Sequence, residues 1–358
     1  MSYGGESNAK KAARVIAWNT LLSYAGRRKN PEDFRALVLA GPVAGDIRTL
    51  RAFGVPSKNI TAVDTDPAAI ESSRLIAPNA NYVLGDVLKV ASRRRRRRPP
   101  LKYDVIFLDY CSPISERAIQ KSVRVAKAAL VNGGAFCTGF MYGREGPGAR
   151  EGVKFGREMT LLTKKVVEEG VIEPTPAMLR GVAQYGLTEA DFHAMRNIDP
   201  DSLKGEMKRD FEKVMNKSSR ILYLQNRVFV TSMDYGMVLF NTGSVTYRSG
   251  RRTTDGRSSG VPMLYFMSKG LQFLGHLPRR KLEQHYLRAV AEFDTDETFH
   301  CEDIHDDPDG TRLRRIAVEF ARTRGSAYVA ELFGFNPRTV AAWLAWDTMR
   351  ARDQSPAA

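Results

Sequence analysis

Ala36-Leu-Val-Leu-Ala-Gly-Pro-Val-Ala-Gly-Asp46, Ile60-Thr-Ala-Val-Asp-Thr-Asp66 and Tyr103-Asp-Val-Ile-Phe-Leu-Asp-Tyr110 are apolar runs that each stop at a glycine or an acid. Asn81-Tyr-Val-Leu-Gly-Asp-Val87 lies between the second and the third. Continuous Val, Ile and Leu without polar alternation is the pattern of a strand covered on both faces. The polar stretches between the runs have the length of helices, so residues 36–142 read as βαβ units of a parallel sheet. Gly45 to Phe53 is expected to be the first crossover helix. The next begins at Asp66-Pro67, with Asp as cap and Pro in the first turn. Glu116 to Leu130 is a further helix, and Ala135 to Phe140 a fifth strand.

A parallel sheet places its ligand at the carboxyl ends of its strands. Here those ends carry Gly41, Gly45, Asp64, Asp86 and Asp109. Glycines let a ligand approach the backbone, and the helix that follows favours an anionic group at its N-terminus. Asp64 lies nineteen residues beyond Gly45, an offset at which an acid accepts from ribose hydroxyls. The spacing predicts a nucleoside-binding rim. Taken singly, Asp64 and Asp86 are equally readable as turn or helix-cap residues.

The rest of the chain is organised around that sheet. Residues 1–30 form a helical lead-in, with Ala12, Val15, Ile16, Trp18, Leu21 and Leu22 at near-helical spacing. A nucleotide-type α/β domain spans 31–280, interrupted at 143–220 by a charged helical insertion or lid. Arg227-Val-Phe-Val-Thr-Ser232 and Val261 to Met267 have strand composition. With Met237–Phe240 or Ser244–Tyr247 as a partner, they are expected to add an antiparallel edge. A basic loop, Ser249–Gly260, precedes the second of them. Residues 281–310 read as a helix and an acidic linker, 311–350 as a small all-helical domain, and 351–358 as a disordered tail. His300 and the acids after it match no metal-site spacing.

The 358 residues carry a formal charge of +15, and six of those charges form one run, Arg93, Arg94, Arg95, Arg96, Arg97 and Arg98. The remainder is still at +9, so the basicity is distributed. A polyanion, most simply nucleic acid, is the partner this implies. The arginine run cannot pack against itself and is expected to be solvated, in position to contact phosphates. Three widely spaced cysteines imply neither a disulfide framework nor a zinc ribbon, and fit a reducing cytoplasm. No stretch is long and apolar enough to imply a membrane partner. Oligomeric state is not readable.

These motifs together resemble the class I S-adenosylmethionine (SAM)-dependent methyltransferases. Leu37–Leu50 is similar to that family's first motif, and Thr61–Ile70 to its second, whose acid holds the ribose. Leu84-Gly-Asp-Val87 is similar to the third, which implies adenine contact through Asp86 and Val87. Asp104–Pro113 stands at the fourth, beside the transferred methyl. The resemblance implies a Rossmann-like doubly wound sheet and SAM as cofactor. It also implies cofactor binding by Gly41, Gly45, Asp64, Asp86, Val87 and Asp109, with Asp109 and Tyr110 orienting an oxygen or nitrogen nucleophile. Leu39 replaces the usual acid of the first motif and Val43 its third glycine. These departures favour a second reading, a non-catalytic nucleic-acid-binding protein that keeps the scaffold. RNA 5-methylcytosine methyltransferases carry cysteines near Cys111 and Cys137, but the spacings differ, and both cysteines read as small buried residues.

Gly325 to Trp343 resembles a helix-turn-helix. Val329, Leu332 and Phe333 are apolar on the first helix, Gly334 makes the turn, and Asn336-Pro337 opens the second. Val340 and Trp343 return to the core, so Arg338, Thr339, Ala342 and Trp346 are expected to face a nucleic-acid groove. A helical hairpin used only for packing is the alternative.

Overall fold

A computed structural model describes residues 7–25, 30–95, 101–141, 145, 149–150, 153, 204–249, 261–272, 300–304, 311–333 and 337–353. Several expectations fall outside them, among them most of the 143–220 insertion, the basic loop at 250–260, the helix at 282–293, Arg96 to Arg98, and the turn at 334–336.

The chain opens with α1 (Asn8–Ala25), then alternates β1 (Ala36–Leu39), α2 (Gly45–Ala52), β2 (Ile60–Asp64), α3 (Pro67–Ile76), β3 (Asn81–Leu84), α4 (Val87–Arg95), β4 (Tyr103–Pro113), α5 (Glu116–Ala129) and β5 (Leu130–Met141). After these come α6 (Gly205–Asp234), β6 (Met237–Ser249), β7 (Val261–Gln272), β8 (His300–Ile304), and the helices α7 (Thr311–Arg324), α8 (Ser326–Phe333) and α9 (Pro337–Asp353). The strands hydrogen-bond in the order β3-β2-β1-β4-β5-β7-β6-β8. β1 pairs in parallel with both β2 and β4, and β2 with β3. The register sets Leu37 opposite Thr61 and Ile106. β6 and β7 are consecutive in the chain and neighbours in the sheet, and this side of the sheet carries the antiparallel pairing. The protein is therefore an α/β, doubly wound, mostly parallel sheet with an antiparallel side, as the strand composition implies.

Two compact units divide the chain: residues 1–107, 246–263 and 304–358 form the first, and 108–245 with 264–303 the second. In the first, α1 buries Trp18 and Leu21 completely, and Trp18 stacks on Phe107 at 5.0 Å. Burying one such side chain contributes about 1.5–3 kcal/mol. The helices α7, α8 and α9 pack on one another, α8 also packs on α2, and α1 on α7. Phe53, which ends α2, meets Phe320 of α7 edge-on. The C-terminal helices thus share a core with the lead-in helix.

In the second unit α6 packs along α5. This corrects one strand expectation. Arg227 to Ser232 lies inside the 30-residue helix α6. Its β-branched residues are outweighed by the buried series Ile221, Leu224 and Val228, which has helical spacing. Met237–Phe240 and Ser244–Tyr247, considered as alternatives, are parts of the single strand β6. His300–Ile304, expected in a linker, is strand β8 at the end of the sheet order. α4 runs through Arg95, so the first three arginines of the run are helical. α9 continues to Asp353, into the expected tail.

Candidate functional site

In the first unit Asp64 closes β2, and Gly41 and Asp86 follow the carboxyl ends of β1 and β3. The chain passes from β1 outward to β2 and β3, then returns to β4 on the other side of β1. Such a reversal opens a crevice outside the strand ends. The loop after β1 is a tight turn in which the Ala44 N–H donates to the Gly41 carbonyl at 2.9 Å. Pro42 follows Gly41, where its fixed φ favours the turn. Ala44 is left-handed (φ 47°) and hands over to α2. A second donor reaches the Gly41 carbonyl: the buried Ser73 hydroxyl of α3, at 2.5 Å. The Tyr82 hydroxyl of β3 in turn donates to the Ser73 carbonyl at 2.8 Å. Burial raises the Tyr82 pKa, partly opposed by Arg74, which lies 5.6 Å from the ring centre.

The two loop glycines differ. A side chain at Gly41 would meet nothing within 4 Å, so a ligand has room there. At Gly45 a Cβ would lie 2.4 Å from the Arg14 guanidinium. Arg14 comes from α1 and is buried. Its Nε donates to Asp46 Oδ1 at 3.1 Å, and the same oxygen accepts the Trp18 indole N–H at 2.8 Å. Sequence reasoning passed over Arg14, although a cation on the apolar face of the lead-in helix signals a buried partner.

Each acid of this rim has a local bond. Asp64 Oδ1 accepts from the Asp66 N–H at 3.0 Å, and Asp66 caps α3 by accepting from Ala68. This is the cap that Asp66-Pro67 predicts. Asp86 Oδ1 accepts from the Leu88 and Lys89 N–H groups and caps α4. The cap reading of Asp86 is therefore realised. Val87 is buried.

The second unit holds Asp109. Its Oδ2 accepts from the Tyr265 hydroxyl of β7 at 3.1 Å, and its Oδ1 from the Cys111 thiol at 3.3 Å. Gly139 of β5 is what lets the two side chains meet. A Cβ there would lie 2.7 Å from Asp109 Oδ1 and 3.0 Å from the Tyr265 ring. Cys137 is buried, as expected, but Cys111 is exposed and left-handed (φ 47°). Successive strand residues face opposite sides, and Tyr110 accordingly turns to α5, where the Lys121 ammonium stands 5.4 Å from its ring centre. Nearby, Glu116 accepts from Arg227 at 2.7 and 2.6 Å and from the Tyr223 hydroxyl at 2.8 Å. The Arg227 hydrogen bond holds the Glu116 carboxyl below its usual range, and burial, more than Glu116 itself, raises Tyr223. One turn earlier on α6, Arg220 pairs with the buried Glu145.

Among the basic candidates, Arg93 is exposed on α4. Arg338 and Thr339 are exposed in the first turn of α9, Ala342 is exposed one turn on, and Val329 and Val340 are buried. Trp343 is half-buried beneath Arg314 of α7, 5.6 Å from its ring centre. Gly334 to Asn336 lie outside the described residues. Among the described residues no helix is long and apolar enough to cross a membrane, and no cluster of potential metal ligands occurs.

No family model and no curated protein matches this chain. Among solved structures it is similar to a SAM-dependent methyltransferase from Anabaena variabilis, at 15% identity over 75% of this chain and 88% of that one, with a TM-score of 0.37. It is also similar to Trm1 from Pyrococcus horikoshii in complex with S-adenosyl-L-methionine (13% identity, 78% and 63% of the two chains, TM-score 0.38). A third is Aeropyrum pernix fibrillarin with natively bound S-adenosyl-L-methionine (14% identity, 71% and 76%, TM-score 0.33). The fold described above stands on strand order and register alone.

Proposed function

We propose that this protein is a SAM-dependent methyltransferase that acts on, or is recruited to, nucleic acid. The observation that carries the reading is the pairing of an open Gly41 turn with Asp64 at the end of the neighbouring strand, on a sheet whose strand order reverses at β1. Open backbone admits a ligand closely, and a carboxylate at that place accepts a pair of sugar hydroxyls.

The residues present fit SAM in kind. Asp64 would hold the ribose, and the turn at Gly41 and the first amides of α2 would face the methionine end. Asp86 and Val87 would border the base through their backbone, since the Asp86 Oδ1 is engaged as a cap. When bound, SAM supplies an electrophilic methyl group. Asp109 is the residue proposed to accept the proton that an oxygen or nitrogen nucleophile sheds, in a transfer that otherwise rests on alignment. Tyr110, the next residue on the same strand, is proposed to help orient that nucleophile.

Nucleic acid enters through charge. The +15 net charge, Arg93 to Arg98, and the exposed Arg338 and Thr339 at the start of α9 support phosphate contact. The pair α8–α9 is proposed as a helix-turn-helix-like reader, and the cytoplasm as the compartment.

Calorimetric titration with SAM tests the reading. Micromolar binding is expected, and its absence at millimolar SAM would remove the enzyme assignment. One observation favours the second reading, a non-catalytic nucleic-acid-binding scaffold: Gly45 makes room for Arg14 rather than for a ligand. That reading expects nucleic-acid binding with no SAM binding.

A further inference from the structure

Tyr265 is wholly buried, yet its hydroxyl is spent on one carboxylate oxygen at the far end of another strand. β7 is not the neighbour of β4. β5 stands between them, and the contact exists because β5 has Gly139 at the crossing. Any side chain there would sit 2.7 Å from Asp109 Oδ1 and about as close to the Tyr265 ring as 3.0 Å. Three strands therefore cooperate in one arrangement: a carboxylate on β4, a gap on β5 and a buried phenol on β7. A phenol of this kind fixes the plane of the carboxylate by holding Oδ2. Oδ1 is then turned to the Cys111 side, and Cys111 is exposed. An ionised carboxylate accepts hydrogen bonds and donates none. Its fixed oxygen therefore favours a partner that brings a proton.

We propose that Tyr265 is the positioning residue of the β4 rim, holding Asp109 so that Oδ1 faces proton-bearing groups presented beside Cys111, with Gly139 as the residue that makes the arrangement possible. The methylation role of this carboxylate rests on the function proposed above; the orientation does not. Nothing in the short sequence motifs indicates Tyr265, because it lies 156 residues from Asp109.

Cys111 provides a reporter that works without SAM. The full-length protein is treated with iodoacetamide at pH 8, and alkylation of Cys111 is followed by peptide mass spectrometry. Asp109→Asn is expected to accelerate alkylation several-fold, because a neighbouring carboxylate opposes thiolate formation. Tyr265→Phe is expected to slow it about threefold, because the carboxylate loses a donor and its charge bears more heavily on the thiol. In the Asp109→Asn background, Tyr265→Phe should have no effect. An unchanged rate in Tyr265→Phe, or the same change in both backgrounds, overturns the assignment. Gly139→Ala is the second variant. It crowds both the Asp109 carboxylate and the Tyr265 ring, and a Cys111 rate equal to wild type would also overturn it.

The activity arm uses tritiated-methyl SAM with total RNA and with genomic DNA. Tyr265→Phe should lower kcat about tenfold and leave KM for SAM unchanged; equal loss in both would indicate a structural role and reject the proposal. If the wild-type protein transfers no methyl group, the proposed function fails, and the alkylation arm still decides the role of Tyr265.

Discussion

The Arg14 guanidinium fills the space that a side chain at Gly45 would need. The two residues come from different helices, and the contact is fixed by Asp46, which accepts from both Arg14 and Trp18. The two loop glycines therefore make opposite predictions. Gly45→Ala should destabilise the protein by about 1–3 kcal/mol, the usual range for overpacking. Gly41→Ala should leave thermal stability near wild type and weaken SAM binding. Melting temperatures and SAM titrations of the two variants check this, and a Gly45→Ala protein as stable as wild type would show that the Arg14 guanidinium moves aside without cost.

Asp64 and Asp86 also separate. Asp64→Ala removes the proposed ribose acceptor while Asp66 still caps α3. SAM affinity should fall roughly tenfold to more than a hundredfold, as hydrogen bonds to a charged group are worth about 1.5–3 kcal/mol. Asp86→Ala removes the cap of α4, with a stability loss of about 1 kcal/mol. Calorimetry and urea unfolding on both variants would show whether the two effects divide in this way.

Glu116 predicts a pH dependence. Its carboxyl is held below the ordinary range, first by the Arg227 hydrogen bond. A depressed folded-state value means that the stabilisation is present above the unfolded value and is lost as pH falls through the folded one. The pair is half-exposed, so its worth is about 1 kcal/mol or less. Glu116→Gln should shift the urea midpoint at pH 7, and the difference from wild type should shrink as pH falls below 4.5, the ordinary value. A difference that widens in acid would be the wrong sign.

Arg338→Ala should weaken nucleic-acid binding and lower its salt slope by about one, with SAM affinity unchanged. Filter binding across a salt series measures both. Removing residues 311–358 is a less specific experiment than it looks from the sequence. α8 packs on α2 and Phe320 meets Phe53, so truncation should lower the melting temperature of the remaining chain as well. A truncated protein as stable as the whole would show that this packing contributes nothing.

The parallel half of the sheet could be read from the chain because its information is local. The apolar runs, the Asp66-Pro67 helix start and the glycine-acid turns each act within a few residues. The errors arose where a distant partner decides the outcome. Arg227 to Ser232 has strand composition, and only the longer period through Ile221, Leu224 and Val228 shows the helix that packs on α5. His300 to Ile304 reads as a linker until β6 is available to pair with it. In the candidate site, Asp64 and Asp86 are visible as acids at strand ends. Arg14, Ser73 and Tyr265 were missed because each acts on a residue at least 31 positions away, through helix packing or strand order.

The hydrogen-bonded turn at Gly41 has a kinetic consequence. Its carbonyl is held by Ala44 and by Ser73, and Ser73 is braced by Tyr82. The protein itself supplies those bonds, so a ligand entering there does not bear the entropy of ordering the loop. Association should then follow a single exponential whose rate rises linearly with ligand concentration, without the plateau that a slow rearrangement imposes. Tyr82→Phe, a change on an outer strand, should be the variant that brings the plateau in.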